Sequence, residues 1–134
     1  MLLQQEIETK SLIKNLINEG FKLLIETNGS LSIKDIEMRA IIILDIKTPG
    51  SGMHEKMEFS NLNQVKKSDE VKFVISNRTD YDWAKRIIDK YRLIDKCGIL
   101  FSPCFGRLAP LILAKWIIDD RLGVRLNLQL QKYV

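Results

Sequence analysis

Apolar residues recur at helical spacing from Gln4 to Glu19, through Ile7, Leu12, Ile13, Leu16 and Ile17, and Gly20 stands where such a helix would stop. The spacing predicts a helix with one buried face. Phe21–Ile25 is then a short apolar run between Gly20 and the Asn28-Gly29 turn, as in a buried strand. A second run, Ala40–Lys47, is rich in β-branched residues and has no polar position before Asp45, the pattern of a strand covered on both faces. The segment Thr48–Met53 carries Pro49, which lacks an N–H donor, and two glycines, so a mobile or ligand-contacting loop is expected down to about Lys67.

Val71–Ile75 predicts a third strand, and Thr79–Trp83 opens a helix capped by Thr79 or Asp80, with Trp83, Ala84, Ile87, Ile88 and Tyr91 facing inward. Gly98–Ser102 is a fourth strand stopped by Pro103. A helix over Leu111–Ile118 begins near Pro110 and ends by Gly123, and Val124–Leu130 alternates as a fifth strand, with Leu126, Leu128 and Leu130 against Arg125, Asn127 and Gln129. Helices alternating with short buried strands indicate parallel βα units with right-handed crossovers, whose ligands gather at the carboxyl ends of the strands. Those ends carry Glu26-Thr-Asn-Gly29, Asp45-Ile-Lys47 and Ser102-Pro103, so polar residues cluster where a site is expected.

Composition narrows the chemistry. At 134 residues and 46% hydrophobic, residues 1–134 suffice for a single domain with one core. The net charge of +4 comes from 21 basic and 17 acidic residues interspersed along the chain, which is no nucleic-acid footprint. The apolar runs fall short of the roughly 20 residues that span a bilayer, and no cleavable leader pattern is seen, so the expected setting is soluble and cytoplasmic. Cys97 and Cys104 alone are too few for a disulfide framework, a structural zinc or a cubane cluster, and they read as packed thiols. His54 is the only histidine, which argues against Ser-His or Cys-His catalysis and places it in an exposed loop.

Read together, eight segments resemble the radical S-adenosylmethionine family of 7-carboxy-7-deazaguanine synthases. In order they are Leu2-Leu-Gln4, Glu26-Thr-Asn-Gly-Ser30, Asp45-Ile-Lys-Thr-Pro-Gly-Ser-Gly-Met53, Asp69-Glu-Val-Lys-Phe-Val-Ile75, Asp80-Tyr-Asp-Trp-Ala84, Leu100-Phe-Ser-Pro103, Leu113-Ala-Lys-Trp116 and Val124-Arg-Leu-Asn-Leu-Gln-Leu130. Each alone is weak; their shared order and spacing carry the resemblance. It implies an α/β fold, a partial (β/α) barrel of radical S-adenosylmethionine type with about five mainly parallel strands. In that family an iron–sulfur cluster cleaves S-adenosylmethionine, the resulting 5′-deoxyadenosyl radical takes hydrogen from 6-carboxy-5,6,7,8-tetrahydropterin, and magnesium-assisted ring contraction gives 7-carboxy-7-deazaguanine for queuosine or archaeosine synthesis. The resemblance also assigns cofactor-binding positions: Glu26 and Asn28 at one strand end, Asp45, Ile46 and Lys47 at the next, where an ammonium group can pair with the cofactor's carboxylate, and Phe101, Ser102 and Pro103 at a third. Trp83 and Trp116 remain packing residues.

The chain departs from the family pattern at both ends. The C-x3-C-x2-C triplet that holds the 4Fe-4S cluster is absent, as is the Gly-Gly-Glu-Pro segment, and Met1 falls where its proline should stand. The first two barrel strands, the magnesium ligand and much of the substrate site are therefore expected to be missing, leaving the carboxyl-terminal portion of the barrel. Gln131 replaces the usual histidine of a Gln-Leu-His-Lys run and is the candidate substrate-binding residue there. Exposed edges and uncovered apolar faces would call for a separately supplied amino-terminal half or a homodimer. The expectation is a synthase-like protein without independent catalysis; the alternative is a non-catalytic nucleotide-binding or interaction subunit derived from the same fold.

Overall fold

The computed structural model describes residues 2–29, 32–34, 36–52 and 58–133, and the side chains of the first helix from Ile7 onward. Ser30, Met53 and His54, and the side chains of Leu2-Leu-Gln4, lie outside the described residues. Helix α1 runs over Leu2–Asn18. Its buried side consists of Ile13 and Ile17, which pack with Ala40 against Leu23, Ile25 and Ile36. The helix stops as its sequence implies: Gly20 takes φ 97°, and the N–H groups of Gly20 and Phe21 donate to the carbonyls of Ile17 and Leu16. This arrangement consumes two of the carbonyls that every helix end leaves unpaired.

Five strands follow: β1 (Leu24–Thr27), β2 (Ile41–Ile46), β3 (Glu70–Ile75), β4 (Gly98–Pro103) and β5 (Arg125–Leu126). They form one parallel sheet in the order β1-β2-β3-β4-β5. Helices α2 (Arg78–Tyr91) and α3 (Leu93–Lys96) connect β3 to β4, and α4 (Pro110–Asp119) connects β4 to β5. When each strand pairs only with its sequence neighbour and every crossover is right-handed, all connections fall on one face. This is the winding of a barrel segment rather than of a doubly wound sheet, whose order reverses midway.

The packing agrees with that winding. Ile42, Leu44, Ile46, Val71, Phe73, Ile75, Ile99 and Phe101 point to one face and are buried with Tyr81, Ala84 and Ile88 of α2 and Leu113 of α4. Phe101 meets Phe73 and Tyr81 edge-on, at ring-centroid distances of 5.5 and 5.8 Å. The alternate residues of β2 and β3 are only half-buried, so the opposite face of the sheet is not covered by a helix layer. The continuous apolar run of β2 had implied burial on both sides; Ile41 and Ile43 instead lie on the less covered face.

Other differences have local causes. Asn77, rather than Thr79 or Asp80, caps α2, its side-chain oxygen accepting from the N–H of Asp80 at 2.8 Å. Helix α4 stops by Gly123 as expected, but Arg121 rather than a glycine takes the left-handed position, at φ 49°. The strand expected over Val124–Leu130 shortens to Arg125–Leu126, because the sheet pairs only as far as Phe101↔Leu126 and the chain then turns at Leu130–Lys132. Leu126, Leu128 and Leu130 are accordingly exposed. Among its described residues the loop after β2 contains two short 3-10 turns, Pro49–Ser51 and Phe59–Asn63. Buried Asn61 anchors the second, accepting from Ile33 N at 2.8 Å and donating to Gly29 O at 3.2 Å.

Two buried carboxylates clamp the sheet, one at each end of the strands. At the amino-terminal end Asp69, 1% exposed, accepts from Ile42 N at 2.9 Å, Lys66 N at 3.0 Å and Lys66 Nζ at 2.6 Å. At the carboxyl end Asp80, 0% exposed, performs the corresponding task between β3 and the loop after β2. Among the described residues no helix is long and apolar enough to cross a membrane.

Candidate functional site

Register decides which polar side chains meet. Glu26 lies opposite Ile43, Asp45 opposite Lys72, and Val74 opposite Ser102, so these residues share the less covered face. At the carboxyl end of β1 and β2, Glu26, Ile43, Asp45 and Lys72 border a recess of about 210 Å³ that Thr27 and Asn28 also line. A second recess, about 170 Å³, lies at the ends of β2 to β4 and is lined by Ile46, Lys47, Thr48, Gly50, Ser51, Val74, Ser76, Cys104 and Arg107. Each is smaller than the roughly 300–1,000 Å³ that encloses a whole drug-sized ligand, so each suits one part of a larger molecule.

Charge is organised within these recesses. Lys47 Nζ donates to Asp45 Oδ2 at 2.8 Å across half-exposed side chains. The other oxygen, Asp45 Oδ1, is buried and has no hydrogen-bond partner among the described residues. An unpaired buried carboxylate oxygen is costly unless a donor arrives, so this atom is an acceptor ready for a ligand N–H or O–H. Lys72, which the sequence reading did not single out, places a cation in the same recess. The signal was in β3, where Glu70 and Lys72 alternate with buried Val71 and Phe73.

The structure thus brings Glu26, Asn28 and Asp45 to one recess, and Ile46 and Lys47 to the other. Ile46 and Phe101 are fully buried on the helix-covered face, so their side chains belong to the core. Ser102 is buried and accepts from Asn127 Nδ2 at 3.1 Å, while Asn127 N donates to Phe101 O at 2.8 Å. Asn127 is a further residue that the sequence reading passed over; it fixes the chain after β5 against the end of β4. Pro103 is buried as the last residue of β4, and Gln131 is exposed in the final turn, where it lines neither recess.

The thiols do not fit an iron–sulfur cluster. Cys97 precedes β4 and Cys104 follows it, so the strand separates them by roughly 20 Å. Burial, helped by the charge of Asp69, pushes the Cys97 thiol up to about 11, which disfavours the thiolate that binds iron. Among the described residues no group of three or more His, Cys, Asp or Glu could hold a metal ion. The carboxylates and lysines of the two recesses, by contrast, offer hydrogen-bond acceptors and cations at the strand ends.

Comparison with curated proteins gives a consistent set of relatives. The chain is 39% identical over 130 residues to the 7-carboxy-7-deazaguanine synthase of Chlorobaculum tepidum, covering 94% of this chain and 59% of that protein. It is 34% identical over 145 residues to the one of Koribacter versatilis, covering 98% and 64%, and 40% identical over 115 residues to the one of Leptospira interrogans, covering 82% and 47%. The chain is thus similar over most of its length to 7-carboxy-7-deazaguanine synthases. It spans about half to two thirds of the length of these synthases. No family-wide profile matches the chain, and no solved structure does.

Proposed function

We propose that this chain forms the carboxyl-terminal, cofactor-facing wall of a 7-carboxy-7-deazaguanine synthase, acting on 6-carboxy-5,6,7,8-tetrahydropterin when cluster-bearing and magnesium-binding segments complete the barrel. The observation that carries this reading is the strand-end arrangement of Glu26, Asp45, Lys47 and Lys72, set on a barrel-type sheet in a chain similar to these synthases. The cofactor, once bound to a reduced cluster, supplies the radical chemistry. The chain's own part is to bind and orient. Asp45 Oδ1 accepts a hydrogen bond from a hydroxyl or ammonium group, Glu26 offers a second acceptor, and Lys47 and Lys72 meet a carboxylate by charge-assisted contact.

The edge of β1 supports a partner that supplies the remaining segments. In the described sheet β1 pairs on one side only, and its first residue Leu24 and the preceding Phe21 are 58% and 59% exposed. Such an edge is a template for a further strand. The test is reconstitution: the chain is mixed anaerobically with the part of the Chlorobaculum tepidum synthase that it does not match. Formation of 7-carboxy-7-deazaguanine from the pterin and S-adenosylmethionine supports the proposal. A folded two-piece complex that binds neither cofactor nor pterin would end it.

A further inference from the structure

The first part of the loop after β2, residues 47–52, carries Lys47 but contributes no residue to the hydrophobic core; Thr48 is buried, whereas Gly50, Ser51 and Gly52 are exposed. Something else must hold it. Gly50 N donates to Asp80 Oδ1 at 2.8 Å, and Ser76 N donates to Asp80 Oδ2 at 3.0 Å. Ser76 Oγ also donates to Asp80 Oδ2 through a short hydrogen bond. The carboxylate therefore joins three places: the loop after β2, the end of β3 and the first turn of α2. Thr48 Oγ1 adds a link from the same loop to Val74 O at 3.2 Å. The approach is close enough to demand glycine, since a Cβ at Gly50 would lie 2.5 Å from both Asp80 Oδ2 and Ser76 Oγ.

The geometry points to Asp80 as a positioning residue that locks the Thr48–Ser51 turn and so fixes Lys47 at the strand-end site, an assignment that rests on the ligand-binding reading of that site. Asp80 touches neither recess itself. It acts through Gly50 and Ser76, both of which line the recess that contains Lys47. Helix-terminal acids ordinarily serve the helix dipole from an exposed position. Asp80 is fully buried, and its carboxylate accepts from three groups outside the helix, one of them thirty residues away.

Asp69 provides a matched control, because it is a buried carboxylate that clamps the same sheet at the opposite end. The purified chain and its Asp80→Asn, Gly50→Ala and Asp69→Asn variants are compared by thermal melting, by amide hydrogen exchange at Gly50 and Ser76, and by titration with S-adenosylhomocysteine. Asp80→Asn and Gly50→Ala should speed exchange at both amides and raise Kd about ten-fold or more, the loss of one charge-assisted hydrogen bond. Asp69→Asn should lower the melting temperature comparably while leaving Kd within about two-fold, as distant sites behave. If Kd follows melting temperature equally in all three variants, the positioning role is overturned. If the unmodified chain binds no S-adenosylhomocysteine, the ligand reading fails separately, and exchange decides: a Gly50 amide equally fast with and without the Asp80 carboxylate removes the lock as well. Should Asp80→Asn fail to fold, Gly50→Ala carries the same comparison.

Discussion

Asp45 gives one carboxylate oxygen to Lys47 at 2.8 Å and keeps the other buried without a partner among the described residues. The pair is half-exposed, so its contribution to stability is about 0.2–1 kcal/mol. Its significance lies in what the second oxygen and the lysine can still accept and donate. Lys47→Ala should raise the Kd for S-adenosylhomocysteine about ten-fold, whereas Lys115→Ala, which removes an exposed α4 lysine paired with Asp119 at 3.3 Å, should leave it unchanged. Equal effects in the titration would remove Lys47 from the site.

Asp69 makes a different kind of prediction, because it is structural. Replacing it with alanine leaves the buried N–H of Ile42 and the N–H of Lys66 without their acceptor. Unpaired buried donors cost about 1–3 kcal/mol each, so Asp69→Ala should lower the urea midpoint by an amount equivalent to roughly 2 kcal/mol or more with an unchanged slope. A midpoint shift too small to resolve would show that water replaces the carboxylate.

Asp80 brings a pH dependence. Burial raises its pKa, but hydrogen bonds from Ser76 Oγ and from the N–H groups of Gly50 and Ser76 outweigh that and hold it below the usual carboxylate range. The stability it contributes is therefore complete above its unfolded pKa of about 3.9 and is lost as pH falls through the lower folded value. Acid melts should show a loss of stability below pH ~4 that is smaller in Asp80→Asn. Superimposable pH profiles would assign that loss to other carboxylates.

The two cysteines should differ in reactivity. With its thiol near 11, Cys97 is about 0.1% thiolate at pH 8 and should alkylate with iodoacetamide roughly a hundred times more slowly than a free thiol, until the chain is unfolded. The sign for stability follows: burial of the neutral thiol is fully effective below the unfolded pKa of about 8.5 and fades as pH rises through 11. Mass spectrometry after timed alkylation gives the rate for each peptide, and labelling of Cys97 at the free-thiol rate would contradict its burial.

Arg121 ends α4 in the left-handed region at φ 49°, where a Cβ is strained by about 1–2 kcal/mol. Glycine relieves that strain but gains freedom in the unfolded chain, worth about 0.4–1 kcal/mol, so Arg121→Gly should stabilise the chain by roughly 0.5–1 kcal/mol. A lower melting temperature would mean that the arginine side chain supplies a compensating contact.

The elements most legible from sequence were those whose apolar period had only one physical use. Alternating buried positions in β3 and the Tyr81, Ala84, Ile88 stripe of α2 are of this kind. The end of β5 was not legible, because alternation in Val124–Leu130 is the same whether or not a neighbouring strand extends far enough to pair, and β4 pairs only to Leu126. The cap of α2 was missed because Asn77, Thr79 and Asp80 are all competent, and only the geometry assigns capping to Asn77 and leaves the Asp80 carboxylate for the lock. At the candidate site, the strand-end motifs located Glu26 and Asp45, but Lys72 entered through cross-strand register, which no single strand's sequence states.

Because each strand pairs only with the strand before it or after it in the chain, the sheet can be assembled by accretion. The β3–α2–β4 unit contains its own aromatic nucleus in Phe73, Tyr81 and Phe101, a ready kinetic seed. Such short-range connectivity lowers the entropy lost before each new pairing is rewarded. The most persistent amide protection should then lie in β3 and β4 and decline outward toward β1 and β5, a gradient that leaves the two margins of the sheet the last parts to set.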